Sequence, residues 1–415
     1  MGLSDAQFER RGGSGVRSAA SAPVPAVDLV NALGARWGRA LAFGAGQVWT
    51  ALGVWPLLAA LGAGTHDPAV RAELAAALGV PVEQAPALAR ELLARVRQVP
   101  GCGAALGLWT ADGLGAEAAW VEQLGPVRWG ALTGDPIKDR AALDRWADEE
   151  TGGLIPTMPL ESLDKVLLVL ASALTVRTKW ERRFVDHRAV GREGPWAGRE
   201  LPLLTATGAA LYERFAVAES SVGPVTEVRV AGAGEVDVHL VLGGPEAGPG
   251  AVVAAGFELV SGAARRVPMA GLADGAAGWP GLVVESVDSA APHDTGELTT
   301  VGFRVAASHD LLGTAGLFGL RTASGPGEYF RGISRDTPLR VSAARQSATA
   351  EFSAEGFEGG AVTVVAMRRG GAAFRPPQFR VRRAAARFDR PFAFLAVHRA
   401  SGLVLLAGWV AEPGG

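Results

Sequence analysis

Cysteine is nearly missing from this 415-residue chain. The single thiol, Cys102, excludes an internal disulfide framework, and its Gly-Cys-Gly setting lacks the nearby histidine that activates a nucleophile, so it reads as a structural thiol. Histidine is scarce as well: His66, His187, His239, His293, His309 and His398 never fall at metal-ligand spacing, and neither metal nor any other cofactor is expected. The chain has no Gly-x-Ser-x-Gly elbow, and Gly101-Cys-Gly-Ala-Ala-Leu-Gly107 matches a phosphate-binding glycine loop only in part, reading instead as a turn into a strand. These gaps argue against an enzyme. An excess of charge of either sign is also lacking, with a net charge of -2, so no global field points to nucleic acid or membrane. The apolar run Val48 to Leu61 is too short to span a bilayer and contains Pro56. Residues Met1 to Ala26 carry Arg, Gly, Ser and Pro without a continuous apolar core and read as a disordered arm rather than a secretory signal, which points to the cytoplasm.

What is present is a large apolar fraction, 48% of residues against 20% charged, enough for a substantial core. From Val27 to Val80 apolar residues recur at helical spacing, through Leu29, Leu33, Trp37 and Leu41 and again through Trp55, Leu58, Ala59 and Leu61. Further helices are expected over Val70 to Leu78, stopped by Gly79, over Leu88 to Val99 after Pro86, and over Ile137 to Glu150, stopped by Thr151-Gly-Gly153. Strands are expected at Ala104 to Thr110, Val225 to Val230, Val236 to Leu242, Leu298 to Val305 and Leu339 to Phe352. Lys165 to Val176 reads as a central strand buried on both faces. The Ala/Gly-rich passages Gly243 to Ala255 and Ala270 to Gly281 lack periodicity and read as surface loops. Helices first and strands later, with no repeat and no dividing linker, predict one α+β domain over residues 27 to 413.

Near the carboxyl terminus, Gln346-Ser-Ala-Thr-Ala-Glu-Phe-Ser-Ala-Glu-Gly-Phe-Glu-Gly-Gly-Ala-Val-Thr363 begins as a strand and breaks at Gly356 into small residues. About thirty residues then pass before Phe388-Asp-Arg-Pro-Phe-Ala-Phe-Leu395 returns to the core, and loops that long are usually functional or disordered. Eight arginines against one aspartate between Arg368 and Arg390 make the segment basic, fit either for a polyanion or acidic partner surface or simply for solvation.

Four blocks resemble the serpin family in the order that family presents them. They are Val48 to Thr65 with Glu73 to Val80; Leu143-Asp-Arg-Trp146 through Ile155 with Leu170-Ala-Ser172 through Trp180-Glu-Arg-Arg-Phe184; Phe303 to Leu320 with Tyr329-Phe-Arg-Gly-Ile-Ser334 and Leu339-Arg-Val341; and Arg390 to Leu395 with Ser401 to Pro413. The resemblance implies about eight or nine helices around three β-sheets with an exposed reactive-centre loop over 356 to 388, in a protein that is not an enzyme. It also implies a monomer that does not enter membranes, and it opens extracellular space as an alternative location.

Serpins resemble one another in acting as suicide substrates of serine proteases, the cut loop inserting into the central sheet before the acyl-enzyme hydrolyses. The resemblance assigns the hinge to Gly356, Phe357, Glu358, Gly359, Gly360, Ala361 and Thr363, and the point where the loop enters the sheet to Trp180, which by itself would read as core packing. It assigns the polar cluster beneath the opening sheet to Thr50, Gly53, Ser172 and Gln346. The family interval from the hinge places the scissile bond near Arg368, Arg369 and Gly370, suiting a trypsin-like protease, with Arg375, Arg380, Arg382 and Arg383 as rivals.

Strand alternation puts Phe357, Gly359, Ala361, Thr363 and Val365 on one face, which the resemblance implies is the core face, and leaves Glu358 on the other. Three departures from the inhibitory pattern stand out. Phe357 replaces a small residue and is expected to hinder insertion, Gly359-Gly360 replaces alanines at a cost in backbone entropy, and Ala354 replaces a glutamate that pairs with a cation. They motivate a second reading, a non-inhibitory serpin-fold binding or structural protein that proteases merely cut.

Overall fold

A computed structural model describes residues 25–44, 46–191, 194–358 and 378–413. Its helices are α1 (Pro25–Ala40), α2 (Ala51–Ala63), α3 (Pro68–Leu78), α4 (Ala85–Val96), α5 (Ala118–Leu124), α6 (Pro136–Thr151), α7 (Ala209–Tyr212) and α8 (Pro249–Ser261). Local chemistry sets several of their ends. Asp67 accepts from the amides of Ala69 and Val70 ahead of Pro68, Asp135 does the same for Ile137 and Lys138 ahead of Pro136, and Gly79 and Gly152 close α3 and α6 with positive φ. No helix among the described residues is long and apolar enough to cross a membrane.

The strands form three sheets. The seven-stranded one runs β1 (Gln47–Trp49), β18 (Leu403–Val410), β17 (Phe392–His398), β9 (Val236–Gly243), β8 (Gly223–Ala231), β7 (Phe215–Ser220) and β10 (Val267–Pro268). The five-stranded sheet runs β11 (Leu282–Ser289), β16 (Phe379–Arg387), β12 (Thr295–Val301), β6 (Glu200–Gly208) and β5 (Val185–Val190). The six-stranded sheet runs β13 (Phe303–Asp310), β14 (Arg345–Phe352), β15 (Gly356–Glu358), β4 (Leu168–Lys179), β2 (Cys102–Ala111) and β3 (Arg128–Leu132). The main core lies between this last sheet, the seven-stranded sheet and α1, α2 and α8. A second, smaller core forms where α6 lies over the sheet's other face and Trp109 meets Trp146 edge-on at 5.0 Å.

Several expectations are corrected. Residues 249–255, expected in a surface loop, begin α8, which buries Val252, Val253, Ala254, Ala255, Gly256, Phe257 and Leu259. A helix apolar nearly all round shows no amphipathic period. It also packs closely on β17, since a Cβ on Gly256 would meet Leu395 Cδ1 at 2.5 Å. The single strand expected over Leu298 to Val305 is two strands in two sheets, parted at Gly302. The strand expected from Leu339 begins only at Arg345, because the Leu339 carbonyl and the Val341 amide bond to Tyr329 and Ala323 in neighbouring loops.

The largest correction concerns the exposed loop, which does not run to residue 388. Phe379–Arg387 is β16, and the rival cleavage candidates Arg380, Arg382 and Arg383 are bound into a sheet rather than offered to a protease. Arg380 pairs with Asp288, Arg382 with Asp274, Arg383 with Glu285 and Arg387 with Asp389, so half of the arginines counted as a polyanion site are already neutralised.

Candidate functional site: a slot in the six-stranded sheet

β15 is only three residues long, yet it lies between two long strands. Phe357 and Glu358 oppose Phe352 and Glu351 of β14, while Gly356, Phe357 and Glu358 oppose Lys179, Thr178 and Arg177 of β4. Beyond Glu358, among the described residues, β14 and β4 continue side by side with no strand between them and no pairing to each other. A cavity of about 590 Å³ occupies that space, walled by 168–174 of β4 and 345–349 of β14, with Thr50, Gly53 and Val54 of the α2 start beneath.

Burial along β4 records the opening. Val169, Ala171 and Ala173 are buried under α6, whereas Leu168, Leu170, Ser172 and Leu174, on the face toward the main core, are only half-buried. The sequence reading expected this strand, from Lys165, to be buried on both faces; it begins at Leu168, and over 168–174 only the face under α6 is buried, while the other is half-buried and looks into the slot.

The top of the slot is tightly built. Trp180 is buried and donates from Nε1 to the Ser353 carbonyl at 2.9 Å, and its amide donates to Glu355 O at 3.0 Å. Its ring lies 4.7 Å from Phe352 and 6.1 Å from Phe184. Trp180 therefore grips the turn 353–356 that leads into β15. Ser353 closes that turn by donating its amide to Gly356 O, and a Cβ on Gly356 would sit 2.3 Å from Thr178 O, so only glycine fits.

Phe357 differs from expectation. Its ring does not wait outside as an obstacle to insertion, because it is already 1% exposed and tilted against Phe394 at 6.0 Å. An apolar side chain here extends the cluster of Phe303, Phe352, Phe392 and Phe394. The missing glutamate at Ala354 is offset one residue on, where Glu355 pairs with Arg183.

On the outer face, Arg304, Glu351, Glu358 and Arg177 follow one another across four strands, and Arg177 Nε lies 2.5 Å from Glu358. Burial raises the Glu351 carboxyl above its ordinary range; Arg304 opposes this and Glu358 adds to it.

Beneath the slot, Thr50, Gly53, Ser172 and Gln346 do come together. Gln346 Oε1 accepts from Thr50 N and its Nε2 donates to Thr50 O, both at 2.9 Å. Thr50 Oγ1 accepts from Gly53 N at 3.3 Å as the cap of α2, and Ser172 donates to Gly53 O. Gln346 ties one wall to the start of α2 and Ser172 ties the other. Sequence reasoning missed His309, which sits opposite Gln346 in the β13–β14 ladder, bonds to Val48 O at 2.8 Å and meets Trp37 edge-on. Burial lowers its pKa below the ordinary value. Its one sequence signal was a histidine inside an alternating strand.

At the foot, the connection from α6 to β4 lines the cavity, and its Glu161 reaches Arg345 of β14 at 2.6 Å. The hinge residues Gly359, Gly360, Ala361 and Thr363 and the scissile-bond candidates Arg368, Arg369 and Gly370, together with Arg375, lie outside the described residues.

The serpin (serine protease inhibitor) family model matches residues 298–413. A curated relative, putative serpin-Z8 of Oryza sativa subsp. japonica, is 27% identical over 293 residues, 66% of this chain, and the match spans 65% of the relative. Among solved structures, thyroxine-binding globulin in complex with thyroxine matches with a TM-score of 0.69 at 13% identity over 94% of this chain and 99% of its own. Cleaved Serpin 42Da matches at 0.67 and 15% identity over 93% and 96%, and mouse protein-Z dependent protease inhibitor at 0.67 and 14% over 94% and 98%. At these identities the structural likenesses speak for the fold.

Proposed function

Because the chain belongs to the serpin family, we propose that it inhibits serine-type endopeptidases as a suicide substrate, by moving its cut loop into the slot between β14 and β4. The observation that carries this reading is the three-residue β15, paired on both sides at the top of a gap that holds no strand among the described residues. Continuing its register sets Gly359 between Val176 and Ala350, Ala361 between Leu174 and Ala348, and Thr363 between Ser172 and Gln346. The small side chains then meet the core, and the one hydroxyl meets the polar cluster.

The vacancy supplies a driving force. Leu168, Leu170 and Leu174 stand only half-buried along the gap, and covering apolar surface of that kind is favourable at about 25 cal/mol per Å². An added strand fills the void and completes hydrogen-bond ladders on both sides, and nine residues carry the attached protease about 30 Å. Displacement of that size distorts the Ser-His-Asp geometry on which deacylation depends. Arg369 before Gly370 suits an acidic specificity pocket, so a trypsin-like enzyme is the target class.

The test is incubation with a panel of serine proteases. Expected are an SDS-resistant covalent complex and, for the cut protein, a melting temperature raised on the order of 15 °C. Clean turnover with no complex sinks inhibition. The Gly359-Gly360 pair favours a second reading, a binding or structural protein that proteases only cut, because two glycines resist ordering as a strand; turnover that is cured by Gly359→Ala with Gly360→Ala would locate the defect there.

A further inference from the structure

The next question, resting on that insertion reading, is what keeps an uncut loop from filling the slot by itself. Residues 359–378 join β15 to β16. Laying 359–367 alongside β4 as far as Leu168 would use about 30 Å of chain, and the eleven residues that remain reach at most about 36 Å back to β16 when fully extended. An intact chain laid so deep would have little slack left, and any further descent would pull on β16 from its first residue, Phe379.

That end of β16 has an unusual clasp. β12 pairs with β16 only from Arg383 onward, so over Phe379–Arg382 the sole strand neighbour among the described residues is β11. β11 matches β16 without a break from Leu282 opposite Ala386 to Ser289 opposite Phe379. Side chains rivet the same stretch. Arg380 meets Asp288 at 3.1 Å; Arg382 meets Asp274 at 3.0 Å and donates to Met269 O and Leu272 O, while its amide donates to Asp294 at 2.8 Å; Arg383 pairs with Glu285. The Arg380 pair is exposed and worth little, but Arg382 is mostly covered and spends its guanidinium on three acceptors.

We propose that β11 is a lock on β16, fastened where a taut loop would begin to peel it, so that cutting the loop rather than slippage of the intact chain triggers insertion. The arginine-rich sequence after the loop is then one half of that lock.

The test compares the uncut protein with an Asp274→Asn, Glu285→Gln variant, which weakens the ion pairs of Arg382 and Arg383 from β11 and the segment before it and leaves loop and slot unchanged. Both are held warm, below unfolding, while trypsin pulses measure the fraction whose loop can still be cut and mass spectrometry verifies an unbroken chain. The variant is expected to lose cuttability about tenfold faster than the parent and to become more heat-resistant as it does. Equal rates overturn the lock. The pre-cut forms serve as the control: if cutting raises the melting temperature of both, insertion stands whatever the rates; if it raises neither, insertion fails and the lock with it. Should the variant not fold, amide exchange in the parent decides, since a locked β16 exchanges as slowly as buried β17 and faster exchange over Phe379–Arg382 refutes the proposal.

Discussion

Gln346 uses a single side-chain amide to satisfy both backbone groups of Thr50, and it sits on β14, one wall of the slot. Removing it orphans a buried donor and a buried acceptor. Gln346→Ala is expected to lower the stability of the intact protein by about 2 kcal/mol in urea unfolding, an unsatisfied buried group costing about 1–3 kcal/mol. His309 adds a pH dependence. Its pKa is lowered in the folded state, so the unfolded chain binds more protons as pH falls past the ordinary histidine value, and stability is lost in that direction. Melting temperature is expected to drop between pH 7 and pH 5, and His309→Gln should flatten the drop near neutrality; an unchanged profile refutes the assignment. At this scale the sequence was informative where family resemblance aligned Thr50, Gly53, Ser172 and Gln346. It was silent on His309, whose partner is a backbone carbonyl 261 positions away.

Elements without a clear periodic pattern were the hardest to read. α8 was hidden by being apolar on nearly every side, and β11 by a weak alternation that leaves Val283 exposed. The helices with clear caps, α3 and α6, were legible because capping is local. Gly356 to Glu358 were expected to belong to a hinge, and their seating as a strand was not legible, since its pairing depends on Phe352 and Thr178 from separate parts of the chain. Glu358 faces Glu351 on one side, and like charges directly opposite destabilise a ladder, so Arg177 on the other side is what offsets them. Arg177→Ala is therefore expected to unseat β15 while sparing the rest of the sheet, read as faster amide exchange at Phe357 and Glu358 with little change at β13. Uniform protection in the variant would show that Phe357 holds the hinge by packing alone.

Across the described residues, the three sheets divide the space: one carries the gap between β14 and β4, one holds β16, and the seven-stranded sheet backs the core behind them. A synthetic peptide with the sequence of 359–367 is expected to occupy the vacancy of the intact protein, raise its melting temperature and abolish complex formation with a protease. A peptide that binds without doing so would mean that the gap is not where the loop goes. The foot of the opening bears on a separate quantity. Arg345 and Glu161 fasten the crossing from α6 to the sheet at the lower end. On the insertion reading proposed above, that crossing is where an entering strand would run out of wall, so the reach of any inserted segment would be bounded by the length of β4 and β14 themselves.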